Sequence, residues 1–142
     1  MNTEKKTLSR HQRLYSSGFK KWPNNEIPYD LGCDYTEYQR GLVAYAFQEV
    51  ESSSCIKFRP ATEDDLDWVG FTKEYDGCYV DATGYGGPGR GRHRLNLQPT
   101  GCMYRGVVLH EVMHILGANH EHIRPDRDEH MTVLWPLIPV RV

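Results

Sequence analysis

The stretch HEVMHILGANHEHIRPDRD, residues 110–128, decides how this 142-residue chain is read: four histidines, four acidic side chains and two arginines share a segment that also carries an apolar stripe. Val108, Val112, Ile115 and Leu116 recur at helical spacing, which predicts a helix over 107–118. On that helix His110 and His114 stand at i and i+4, so the two imidazoles share one face a turn apart, as two ligands of one metal must. Glu111 occupies the position from which a carboxylate takes a proton from metal-bound water without ligating the metal. Gly117 can close the helix in the left-handed conformation, after which the chain turns and presents His120 as a third nitrogen ligand. Three histidines with one open position form the donor set of a catalytic zinc site, whereas a structural site is closed by four protein ligands. The expectation is one zinc ion per chain, held by His110, His114 and His120, with Glu111 as general base. The other histidines carry no such pattern. His93 is placed in a glycine-rich turn, His122 beside the ligand run, His130 after an acidic pair and His11 in an N-terminal arm, each with a solvated or structural role.

Upstream, apolar residues Tyr38, Leu42, Tyr45, Ala46 and Val50 predict an amphipathic helix from 35 to about 53, with Asp34 or Thr36 as N-cap. WPNNEIPY (22–29) reads as a turn and a short strand, and Pro28 argues for a sheet edge. CIKFRP (55–60), WVGFT (68–72), YVDA (79–82) and RLNLQ (94–98) read as further strands, with EDDLD (63–67) as a solvated turn. GYGGPG (84–89) matches the spacing of a dinucleotide-binding loop. That motif requires the glycines to open a helix, and Pro88, Gly91 and a strand-like RLNL follow instead, so it reads as a turn between strands.

Composition narrows the function classes. The length suits one compact domain, and a formal net charge of −2 supplies no basic field to gather phosphate backbones, so no nucleic-acid partner is expected. No apolar run approaches the roughly 20 residues that span a bilayer, so no membrane partner is expected, and residues 1–21 lack the apolar centre of a secretion signal. They read as a flexible basic arm, a possible propeptide remnant. Cys33, Cys55, Cys78 and Cys102 form no C-x-x-C pair, so disulfides in an oxidising compartment are the better reading.

At these residues the sequence resembles the astacin family of metzincin endopeptidases. The family signature HExxHxxGxxHExxRxDRD is met by His110, Glu111, His114, Gly117, His120, Glu121, Arg124, Asp126, Arg127 and Asp128. WPNNEIPY, SSSCIKF, GCYVD, the LNL strand and GCMYRGVVLHE match in order and spacing, so the similarity runs from about Trp22 to Trp135, and the tail 136–142 diverges. The resemblance implies a secreted zinc-dependent endopeptidase with an α+β fold: a metzincin upper lobe of two long helices and a twisted, mostly parallel sheet with an antiparallel edge strand. It implies a protein or peptide substrate bound extended along an edge strand, assigned to the segment from Arg94 to Gln98. It implies contact of Glu121 with a mature N-terminus close to Leu14, and a charge network of Arg124, Asp126 and Arg127 bracing the turn after His120.

The family's lower lobe, with its S-x-M-H-Y Met-turn, and the propeptide motif F-x-G-D have no counterpart in these 142 residues. A catalytically inactive zinc-binding fragment and a non-catalytic secreted binding module therefore stand as alternatives. Family pairing implies a Cys78–Cys102 bridge and leaves Cys55 without its C-terminal partner. Cys33 and Cys55 flank the first predicted helix, whose ends lie ~27 Å apart at 1.5 Å per residue, too far for a disulfide.

Overall fold

The computed structural model describes residues 20–32 and 34–139. The readings made for the arm up to residue 19, for Cys33 and for residues 140–142 lie outside the described residues. Five strands form one sheet: β1 (Glu26–Asp30), β2 (Lys57–Pro60), β3 (Asp67–Thr72), β4 (Cys78–Val80) and β5 (Gly91–Leu97), in the order β2-β1-β3-β5-β4. The first four of that order run parallel and β4 joins β5 antiparallel. Two α-helices, α1 (Glu37–Ser53) and α2 (Arg105–Ile115), pack on one face. This is the α+β arrangement expected.

Alternation along the strands sends Ile27, Val69, Phe71, Leu95 and Leu97 to the helix side, where Val43, Ala46, Phe47 and Val50 of α1 and Val108, Val112 and Ile115 of α2 complete the core. Phe47 stacks on Phe58 with ring centroids 4.0 Å apart and meets Tyr29 at 4.8 Å. Burying one such side chain contributes about 1.5–3 kcal/mol. Helix α1 begins where Thr36 accepts from the Gln39 backbone N–H and the Gln39 side chain accepts from Thr36 N–H, a reciprocal capping box. Its buried stripe starts at Leu42, one turn later than the spacing suggested, and leaves Tyr38 71% exposed. Trp22 leads into a tight turn at Pro23–Asn25, in which Asn24 and Asn25 both take positive φ, a conformation asparagine tolerates better than most residues.

Four expectations are corrected. Strand β1 is interior rather than an edge, and Pro28 is accommodated because its register runs against Arg59 of β2 while pairing to β3 starts only at Tyr29. Strand β5 is not the sheet edge either: Leu95, Asn96 and Leu97 are covered by β4, so among the described residues the edge on this side of the sheet is Cys78–Val80, and the strand residues of the segment from Arg94 to Gln98 lie between β3 and β4. The EDDLD run is more than a solvated turn. Asp65 makes a bidentate ion pair with Arg59 at 2.7 and 2.8 Å, which holds its carboxyl well below the usual range, and Asp67 accepts from the Gly89 and Gly91 N–H groups and the Tyr85 hydroxyl. Finally, β5 starts at Gly91, so His93 leaves the turn and lies fully buried in the sheet.

The glycine-rich segment is a turn between β4 and β5 and opens no helix, as expected. Cys78 and Cys102 are bonded, tying β4 to the segment that leads into α2, and Cys55 is free and exposed.

Candidate metal centre

Helix α2 is oriented by what it buries. Val108, Val112 and Ile115 face the sheet, which turns His110 and His114 outward. The helix begins at Arg105, two residues ahead of the spacing-based start, and ends at Ile115, three residues short of the expected 118, because the chain reverses at Gly117. Gly117 takes φ +98°; its N–H donates to the His114 carbonyl at 2.9 Å while Ala118 N–H reaches back to the Met113 carbonyl at 3.0 Å. These two bonds make a Schellman motif, and an L-residue at Gly117 would carry the left-handed penalty. The reversal brings the chain back across the end of the helix to His120.

His110, Glu111, His114 and His120 are thereby brought together. The Nε2 atoms of the three histidines lie 3.0, 3.1 and 3.1 Å from one another. Nitrogens ~2.05 Å from a shared ion at the tetrahedral angle are ~3.3 Å apart. His114 Nδ1 stands 2.7 Å from the Ala118 carbonyl oxygen, a contact that requires a proton on Nδ1 and, in the neutral ring, leaves Nε2 as the lone pair for a metal. No choice of tautomers turns all three of these contacts into hydrogen bonds, since at least one pair is left donor against donor or lone pair against lone pair, whereas a cation among them satisfies all three, and the residues therefore fit a metal ion. Burial, and then the neighbouring His114, lower the pKa values of His110 and His120, which favours the neutral, ligating form.

Glu111 is 5% exposed, and its Oε2 has no hydrogen-bond partner. Burial raises its pKa, against a smaller opposite pull from His114 and His120, which places the carboxyl within electrostatic reach of the triad. An unpaired buried carboxylate is costly, and such sites cluster where chemistry is done.

Beyond His120, Arg124 makes a fork to Asp126 at 2.9 and 2.9 Å and reaches Glu121 at 2.8 Å, while Arg127 donates to the His122 carbonyl and lies over the Trp135 ring. The Arg124–Asp126 part of the expected charge network is present, while Arg127 makes its ion pair with Asp128. Contact of Glu121 with a mature N-terminus falls on residues outside those described. His122 stacks beside His120 at 5.5 Å and His130 is exposed.

Two supporting residues had no signal in the sequence. The last turn of α2 leaves carbonyls that need partners. Gly84 N–H donates to His114 O at 2.8 Å, and Trp22 Nε1–H donates to Ile115 O at 3.0 Å across 93 residues of chain. Only folding brings those groups together.

The family model for Astacin, a peptidase family, matches residues 15–141, the whole site included. The chain belongs to the astacin family. Among relatives of this astacin, zinc metalloproteinase nas-8 of Steinernema carpocapsae is 42% identical over 120 residues, 84% of this chain and 27% of the relative. Zinc metalloproteinase nas-8 of Caenorhabditis elegans is 40% identical over 119 residues, 84% of this chain and 28% of the relative. The solved structure of high choriolytic enzyme 1, a hatching enzyme zinc-protease from Oryzias latipes (medaka fish), superimposes with a TM-score of 0.70 at 30% identity, covering 83% of this chain and 57% of that one. The chain thus spans about a quarter of the length of those two nas-8 relatives.

Proposed function

We propose that this chain carries the zinc-binding centre of a secreted endopeptidase, and that residues 22–135 are the unit that builds it. The convergence of three histidine Nε2 atoms beside a buried, unpaired carboxylate carries the reading. Membership in a zinc peptidase family supports it. His110, His114 and His120 would hold one zinc ion, which supplies acidity to a bound water and polarises the scissile carbonyl. Glu111 takes the proton of the attacking water on its free Oε2 and returns it to the leaving amine. Burial, by lifting the Glu111 pKa, makes its carboxylate a stronger base for the first transfer. The substrate is a protein or peptide in extended form. It adds to the sheet at β4, whose outer edge has no strand partner among the described residues. The Cys78–Cys102 bridge anchors that short edge and fits an oxidising, extracellular compartment. Among the described residues no helix is long and apolar enough to cross a membrane.

Metal analysis of the refolded, oxidised chain tests the reading. One zinc per chain, lost in His114→Ala and retained in Glu111→Gln, is expected. Stoichiometric zinc in His114→Ala would overturn the ligand set.

A further inference from the structure

The end of α2 that carries His114 is held from outside the helix by a cluster that the proposed chemistry does not use. Its centre is Trp22, 4% exposed, whose indole packs on Tyr85 with ring centroids 5.0 Å apart and on His93 at 4.9 Å. The Tyr85 hydroxyl donates to Asp67, which also accepts from Gly89 and Gly91, so the glycine-rich turn is folded about one carboxylate. Lys20 bridges to Tyr85 on the same side, so the chain is docked before Trp22 is reached.

The carbonyls of the last helical turn separate this cluster from ordinary packing. Leu116 N–H satisfies Val112 O, Ala118 N–H satisfies Met113 O, and Gly117 N–H shares His114 O with Gly84 N–H. Ile115 O is different: among the described residues its only donor is Trp22 Nε1–H. Helix ends fray unless their orphan carbonyls find partners. Here fraying would displace His114 and, through the Gly117 reversal, His120, both relative to His110 one turn back.

We infer that Trp22 is a positioning residue of the metal centre: its indole N–H, bonded to the Ile115 carbonyl, locks the last turn of α2 so that His114 and His120 are held ready for the ion. The inference rests on the zinc reading. Groups outside the ligand set that orient ligands affect metal affinity by roughly 10–100-fold, because a disordered ligand set must be ordered at the moment of binding.

The test uses the full oxidised chain, with zinc affinity measured by chelator competition and ligand geometry by the visible absorption of the cobalt-substituted form. Trp22→Phe keeps a ring but removes the donor. Because that change also opens space, 3-benzothienylalanine is placed at position 22 as well, which keeps the shape of the indole and lacks only the N–H. Val43→Ala in α1 is the control for lost stability alone, read well below its unfolding temperature. Both changes at 22 are expected to weaken zinc binding by about 10-fold and to alter the cobalt band, with Val43→Ala within about twofold of the parent. Parent-like affinity and spectrum in the benzothienyl chain would overturn this inference while leaving the zinc reading intact. A parent chain that takes up no zinc would overturn both.

Discussion

The Tyr85 hydroxyl donates to Asp67 at 2.9 Å, and the same carboxylate accepts the backbone N–H of Gly89 at 2.9 Å and of Gly91 at 2.8 Å. The glycine-rich turn and the start of β5 are therefore organised by one acid at the head of β3, and through Gly84 that turn meets the carbonyl of His114. Burial alone would raise the Asp67 pKa; the donors outweigh it and hold the net value below the ordinary 3.8.

A depressed carboxyl pKa gives a signed prediction. The stabilisation is complete above the unfolded value and fades as pH falls through the folded one. Urea denaturation of the metal-free chain between about pH 5 and pH 3 should show stability falling with acid. Asp67→Asn should be less stable at about pH 6 and should flatten the part of that fall that Asp67 causes. An unchanged slope would show that other carboxyls carry it.

His93 predicts a second pH dependence, nearer neutrality. It is fully buried and neither ring nitrogen has a partner, so burial pushes its pKa below 6.5, reinforced by Arg90 and opposed by Asp81 and Asp67; Trp22 and Tyr85 close the site. The unfolded chain then binds a proton more readily than the folded one, so stability is lost as pH drops below about 6.5. His110 and His120 contribute with the same sign in the metal-free chain, so the comparison is with His93→Gln. That variant should lose a measurable share of the slope between about pH 7 and pH 5, and an identical slope would count against the buried neutral imidazole.

The candidate site was legible because it is local: His110, Glu111, His114 and the helix-closing Gly117 lie within one helix and its reversal, and period alone puts the two histidines on one face. The sheet edge was not. Strand β4 is three residues long, and nothing in YVDA or RLNLQ reveals which of two neighbours ends the sheet, since pairing is a long-range property. His93 was legible in principle. In RHRLNL it alternates with Leu95 and Leu97 on the inward face, and reading the strand from Arg94 hid that pattern. Trp22 could not have been found, because its partner carbonyl belongs to a residue 93 positions away.

Cysteine chemistry supplies a third prediction. Peptide mapping without reductant should yield the Cys78–Cys102 link, and alkylation of the native chain should label exposed Cys55. Cys78→Ser with Cys102→Ser should lower stability by about 3 kcal/mol, as expected for a bridge closing a loop of this size. A linked Cys55 peptide from the monomer would contradict the fold as described.

The last prediction separates stability from chemistry at Glu111. Its carboxyl is 5% exposed with Oε2 unpaired, and burial lifts its pKa, so ionising it is harder in the folded chain than in the unfolded one. The sign therefore runs opposite to that of Asp67: at neutral pH, above the unfolded value, the group opposes folding. Glu111→Gln keeps the shape and removes the charge, so the metal-free chain should become more stable by about 1 kcal/mol at pH 7. The same amide cannot accept a water proton, so peptidase turnover should fall by about 10²–10⁴-fold with zinc content unchanged. A residue kept at a cost in stability and required for turnover has its identity set by the reaction. If Glu111→Gln proved less stable and still active, the carboxylate would be a structural group and the base would have to be sought elsewhere.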